Sequence, residues 1–215
     1  MRKQLNQWLL GRFAKPLVFF IALLPFFWLV FAAVMDRLGA NPAEALERST
    51  GDWTLRMLCA VLFLTPIRSV FQLTALARFR RMLGLFTFFY AVMHMLAYSW
   101  FDMGFELTEI VKDIAKRPFV LVGFLAVLLL TLLALTSFNR AIKWMGGRRW
   151  QLLHRLVYLV AVLAVVHFFW MRAGKNNFSE VAVYALVIAG LLGWRLQKKL
   201  RILASSPRAP CANSY

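Results

Sequence analysis

The sequence predicts an all-α integral membrane protein: a bundle of six transmembrane helices with both termini on the cytoplasmic side. Three observations carry that expectation. The 215 residues are 61% hydrophobic with a mean hydropathy of +0.66, more apolar surface than a water-soluble domain of this size can hide. The apolar residues gather in six runs, each close to the roughly 20 residues that cross a bilayer. The charged residues between those runs segregate by sign from one connection to the next.

The first fifteen residues, MRKQLNQWLLGRFAK, form a basic cytoplasmic segment ahead of an apolar run from Pro16 to Met35. That run is too long for the core of a signal peptide, although Ala32-Ala33 imitates a cleavage site, and it reads as a retained helix. Further runs follow at 53–70, 83–101, 118–138, 150–171 and 178–196, so the membrane domain spans 16–196 and a basic cytoplasmic tail occupies 197–215. Pro25 and Pro66 fall within or at the end of runs, where neighbouring helices can accommodate them. Trp53, Trp100, Trp150 and Trp170 stand near run ends, as interfacial anchors do.

Charge fixes the orientation. Arg2, Lys3, Arg12 and Lys15 precede the first run, and Arg68, Arg78, Arg80 and Arg81 lie between the second and third. Arg140, Lys143, Arg148 and Arg149 lie between the fourth and fifth, and Arg195, Lys198, Lys199, Arg201 and Arg208 close the chain. All nine acids (Asp36, Glu44, Glu47, Asp52, Asp102, Glu106, Glu109, Asp113 and Glu180) fall at the opposite face. Lys and Arg remain on the cytoplasmic side of inserted proteins, which puts both termini of this multi-pass protein in the cytoplasm. The net charge of +17 therefore reports membrane topology and lipid contact, not a nucleic-acid surface.

Two cysteines, Cys59 and Cys211, are placed too differently to pair, and no Cys-x-x-Cys-His is present, so a haem would be non-covalent, of b type. No connection is long enough for a nucleotide-binding domain, and Gly146-Gly147 reads as a helix-terminus turn.

The three histidines, His94, His154 and His167, all lie in apolar runs. An ionisable ring inside a membrane segment marks function by default, although a lone one often only bonds a neighbouring helix. Three on helices of the same direction point to a haem protein, since a low-spin b haem takes two axial imidazoles and a bundle supplies them from facing helices. His94 lies about 18 Å along its run, His167 about 27 Å and His154 about 8 Å at 1.5 Å per residue. Depth thus prefers His94–His167 over His94–His154 only slightly. One haem cannot use both fifth-helix rings, which a straight helix turns roughly 140° apart.

The stretches LTPIRS, FRRMLGLFTFFYAVMH, KRPFV and RRWQLLHRLVYLVAVLAVVH resemble the MsrQ (YedZ) family, haem-binding membrane subunits of bacterial periplasmic methionine sulfoxide reductase systems. That family is related to ferric reductase and NADPH oxidase membrane domains, in which two histidines on the third helix and two on the fifth hold an inner and an outer haem. The resemblance implies that His94 takes the outer position and pairs with His167 as axial ligands of haem iron. The inner third-helix position is Arg80, so His154 is left for a second haem, or for a hydrogen bond to a flavin or quinone. Arg80, Arg81, Arg148, Arg149 and Arg155 are candidates for haem propionates or a flavin phosphate at the cytoplasmic end; Arg56 and Arg172 are the outer counterparts. FMN is implied by the resemblance alone.

The expected function is a membrane b-type cytochrome passing electrons from quinol or a cytoplasmic flavin reductase to a periplasmic molybdopterin-containing methionine sulfoxide reductase, with which it forms a heterodimer. No catalytic residue for methionine sulfoxide is expected in this chain. A stand-alone ferric reductase and a small proton-coupled transporter are the rival readings. The orientation has a direct check: an alkaline phosphatase fusion in the Asp36–Asp52 connection is expected to be active outside the cell, and one after Gln197 inactive.

Overall fold

The structure, a computed structural model, describes residues 2–173 and 178–205. Part of the fifth-to-sixth connection (174–177) and the tail from 206 onward, with Arg208 and Cys211, lie outside the described residues. Among the described residues there are ten α-helices and no strand: α1 (Arg2–Leu10), α2 (Ala14–Val34), α3 (Pro42–Phe71), α4 (Ala77–Phe101), α5 (Leu107–Lys116), α6 (Pro118–Leu135), α7 (Asn139–Met145), α8 (Gly147–Leu153), α9 (Val157–Ala173) and α10 (Ser179–Ser205). Short 3-10 turns, Thr74–Leu76 and His154–Leu156, lead into α4 and α9. Six helical stretches are long and apolar enough to cross a membrane, and large apolar side chains such as Phe20, Leu24, Val183 and Leu186 face outward. Such outward apolar faces suit lipid, and the protein is a multi-pass membrane protein.

The second spanning helix begins at Pro42, well before the apolar run at 53. Asn41 caps it, its Oδ1 accepting from the Glu44 N–H at 3.2 Å, a contact of about 1 kcal/mol. Pro42 fits the first helical turn because its missing N–H is not needed there. Glu44, Glu47, Arg48 and Asp52 hide this helical start from a hydropathy reading. The last helix likewise runs on to Ser205, past the boundary expected at 196.

α3 packs along α4 and α6 along α9, with α10 against α3 and α9. Leu58, Leu62, Ala91, Leu130, Val160, Ala161 and Ile188 fill the space between these helices. α2 lies at the edge, held where fully buried Tyr90 donates to the Ala22 carbonyl at 2.8 Å. That carbonyl neighbours the Ile21 carbonyl, which Pro25 cannot bond for want of an N–H.

The segregated charges meet as expected. Arg78 Nη1 donates to the Leu9 carbonyl at 3.0 Å, Arg81 to Asn139 Oδ1 at 2.6 Å, and Lys198 to Ser69 Oγ at 2.6 Å, so the basic groups share one end. Arg48 and Arg172 both reach Glu180 at the other, at 3.4 and 2.6 Å.

Pro66 leaves the Leu62 carbonyl without its helical donor, and Arg195 of α10 supplies one, its Nη2 donating to that oxygen at 2.5 Å. Its guanidinium also lies 5.0 Å from the centre of the Tyr158 ring. Arg195→Met is expected to destabilise the solubilised protein by about 1–3 kcal/mol, the cost of an unsatisfied buried acceptor. Pro66→Ala, which restores the N–H, should recover part of that loss in a double-mutant cycle read by thermal unfolding.

Candidate functional site

His94 projects from α4 toward α3, and its Nδ1 lies 2.9 Å from the Glu47 carbonyl oxygen. His167 projects from α9 toward α6, with its Nδ1 2.7 Å from the Phe119 carbonyl oxygen. A carbonyl can only accept, so each Nδ1 carries the proton and each Nε2 keeps its lone pair. This is the tautomer of a metal-binding imidazole whose other nitrogen is held by the protein.

The two ring centroids are 6.1 Å apart with planes crossed at 75°. Imidazoles on opposite sides of one metal ion have centroids about 6.4 Å apart, from two metal–nitrogen bonds of about 2.0–2.1 Å and about 1.2 Å from nitrogen to ring centre. The observed spacing is within a few tenths of an ångström of that. No hydrogen bond joins the two rings among the described residues.

Both rings line a cavity of about 690 Å³, within the range of cofactor sites. Its inner wall includes Leu58, Ala91, Leu130, Val160 and Ala164, side chains of the central apolar packing or packed against it. Toward the acidic end the lining turns polar, with Arg48, Arg172, Asp52 and Arg117. Arg172 is 5% exposed. Its Nη2 donates to Glu180 at 2.6 Å, while its buried Nε has no hydrogen-bond partner among the described residues. Ile110 and Ile114 of α5 also face the cavity. That short helix is pinned by Asp113, which accepts from Tyr98 Oη at 2.7 Å and pairs with Arg117 Nε at 2.9 Å.

The cavity fits a haem by its donor set. Two imidazoles are too few to hold a bare metal ion, and among the described residues no three His, Cys, Asp or Glu side chains converge. A porphyrin brings four nitrogens of its own and needs only the two axial donors.

The other expected site residues stand elsewhere. His154 sits in the 3-10 turn before α9; its Nε2 is 3.2 Å from Thr136 Oγ1, and the Trp150 ring stacks on it at 4.0 Å. Trp150 Nε1 in turn donates to the Thr136 carbonyl at 2.8 Å. The cavity does not reach this group. Arg80 is near enough to act on His154 electrostatically, and Arg80, Arg81, Arg149 and Arg155 are all exposed at the basic end. Of the two outer candidates, Arg172 lines the cavity, whereas Arg56 is exposed, stacked over Trp53 at 4.7 Å.

Sequence reasoning missed the Glu47 and Phe119 carbonyls, because any residue offers a backbone oxygen. It also missed Arg48 and the Tyr98–Asp113 pair, for which charge counting gives side of membrane but not depth.

Fold and site together define a six-span helical membrane protein with paired histidines around a cavity near its acidic end. Residues 50–165 match the family described as "Ferric reductase like transmembrane component", a stretch that includes His94 and His154 and stops just short of His167. The chain is 67% identical over 191 residues to a Polaromonas naphthalenivorans protein, covering 89% of this chain and 87% of the relative. Identity is 47% to a Herminiimonas arsenicoxydans protein, covering 92% of each chain, and 50% to one from Ralstonia nicotianae, covering 86% of this chain and 85% of the relative. All three relatives are named protein-methionine-sulfoxide reductase heme-binding subunit MsrQ. The chain belongs to the MsrQ family, within the ferric reductase-like transmembrane proteins. No solved structure matches it.

Proposed function

We propose that this chain is a membrane b-type cytochrome, the electron-transfer subunit of a protein-methionine-sulfoxide reductase system in a bacterial inner membrane. The observation that carries the reading is the pair His94 and His167, 6.1 Å apart, with both Nδ1 atoms tied to backbone carbonyls. Haem b, when bound, supplies a one-electron carrier. His94 and His167 would hold its iron through Nε2, the apolar wall would keep water from it, and Arg172 with Arg48 would attract its carboxylates.

Both termini are cytoplasmic in this reading, so the haem lies near the periplasmic face. There a catalytic methionine sulfoxide reductase, the partner of a heterodimer, docks within electron-transfer reach. Electrons enter from quinol or a cytoplasmic flavin reductase. Exposed Arg80, Arg81, Arg149 and Arg155 form the positive face for an anionic donor such as reduced FMN. His154 serves that end, with Thr136 and Trp150, and is not an axial ligand of the His94–His167 haem.

Two measurements test this. His94→Ala and His167→Ala should each remove most bound haem from the purified protein, while His154→Ala keeps a low-spin haem spectrum. Loss of all haem in His154→Ala alone would make His94–His154 the pair. The reduced protein should also keep its haem reduced under anaerobic methionine sulfoxide and reoxidise only once the periplasmic reductase is added. Reoxidation by methionine sulfoxide alone would show that this chain is itself the reductase.

A further inference from the structure

Each of the two ring–carbonyl contacts is made across a glycine. His94 meets the carbonyl of Glu47 and lies against Gly51, four residues later on α3. His167 meets the carbonyl of Phe119 and lies against Gly123, four residues later on α6. A helical Cβ tilts toward the helix N-terminus, so a side chain covers the turn before its own Cα. The residue whose Cβ covers a given carbonyl is therefore the one whose N–H bonds it, four positions on. Glycine at that position uncovers the oxygen, and its second lone pair becomes available to a side chain from a neighbouring helix.

The fit is close. A Cβ at position 123 would stand 2.8 Å from His167 Nδ1 and 2.9 Å from its Cε1. One at 51 would stand 3.2 Å from both Nδ1 and Cε1 of His94. At Gly84, Gly190 and Gly193, also in spanning helices, a Cβ would meet nothing within 4 Å. Among the described glycines of the spanning helices, close packing is thus specific to the two that face histidines.

We propose that Gly51 and Gly123 are positioning residues for the axial histidines. Each opens a notch through which one imidazole reaches the carbonyl a turn away, and together the notches fix the tautomer and the crossed planes of the pair. The inference rests on His94 and His167 being the haem ligands. Holding Nδ1–H on a carbonyl raises the basicity of Nε2, which favours ferric iron and makes the haem a stronger electron donor. Crossed ligand planes leave the two iron orbitals that overlap them nearly equal in energy, the condition for a strongly anisotropic low-spin ferric EPR signal.

The test compares Gly51→Ala, Gly123→Ala and, as control, Gly190→Ala in the full chain loaded with haem. Gly123→Ala should lose most of the anisotropic EPR signal and shift the midpoint potential upward, or lose most of its haem. Gly51→Ala, with the roomier contact, should keep its haem and show smaller shifts of the same sign. It decides the matter if Gly123→Ala does not fold. Gly190→Ala should match wild type in both readouts. The proposal is overturned if folded Gly51→Ala and Gly123→Ala both keep the wild-type EPR signal and potential, or if Gly190→Ala shifts them as much. Failure of the ligand assignment looks different, because His94→Ala and His167→Ala would then retain their haem.

Discussion

The structure depends on how an imidazole can be held inside a membrane bundle with one nitrogen satisfied and the other left free. A buried N–H without an acceptor costs about 1–3 kcal/mol, so each Nδ1–H needs an oxygen within its own layer. Carboxylate acceptors there would bring charge into an apolar wall. Backbone carbonyls bring none, and α3 and α6 supply them within the first turns they make from the acidic end. The same solution appears twice, once in the α3–α4 pair and once in the α6–α9 pair. The ring spacing of 6.1 Å follows from how those two pairs meet.

The two ends of the bundle then divide the work. The cavity lies toward the acidic end, and below it the apolar side chains of five helices close the path to the basic end. Proline costs of the bundle are settled locally, with Arg195 bonding the carbonyl that Pro66 leaves free. The basic end holds the exposed arginines and the His154–Thr136–Trp150 group, an arrangement suited to meeting an anionic donor rather than to holding iron on two imidazoles.

Much of this was legible in the sequence. Six apolar runs predicted the six helices long and apolar enough to span, because the bilayer imposes one length on every segment. Helix boundaries were less legible where a helix leaves the hydrocarbon, as α3 does from Pro42, since charged residues there no longer betray it. The three histidines stood out by type and depth. Axial rise alone left His94–His167 and His94–His154 nearly equal, and only the family resemblance chose His94–His167; the 3-10 turn at His154–Leu156 carried no signal in the apolar run. Gly51 and Gly123 carry no signal of their own in one sequence; only the rings packed on them give them meaning.

The central claim is that His94 and His167 face each other across one iron. Chemical rescue tests it most directly. In His94→Gly the cavity gains room for a free imidazole, so reconstituting the variant with haem in the presence of imidazole should recover the bound low-spin haem that the substitution removes. A His94→Gly protein that is already low-spin without imidazole, or that stays unchanged when it is added, would contradict the assignment.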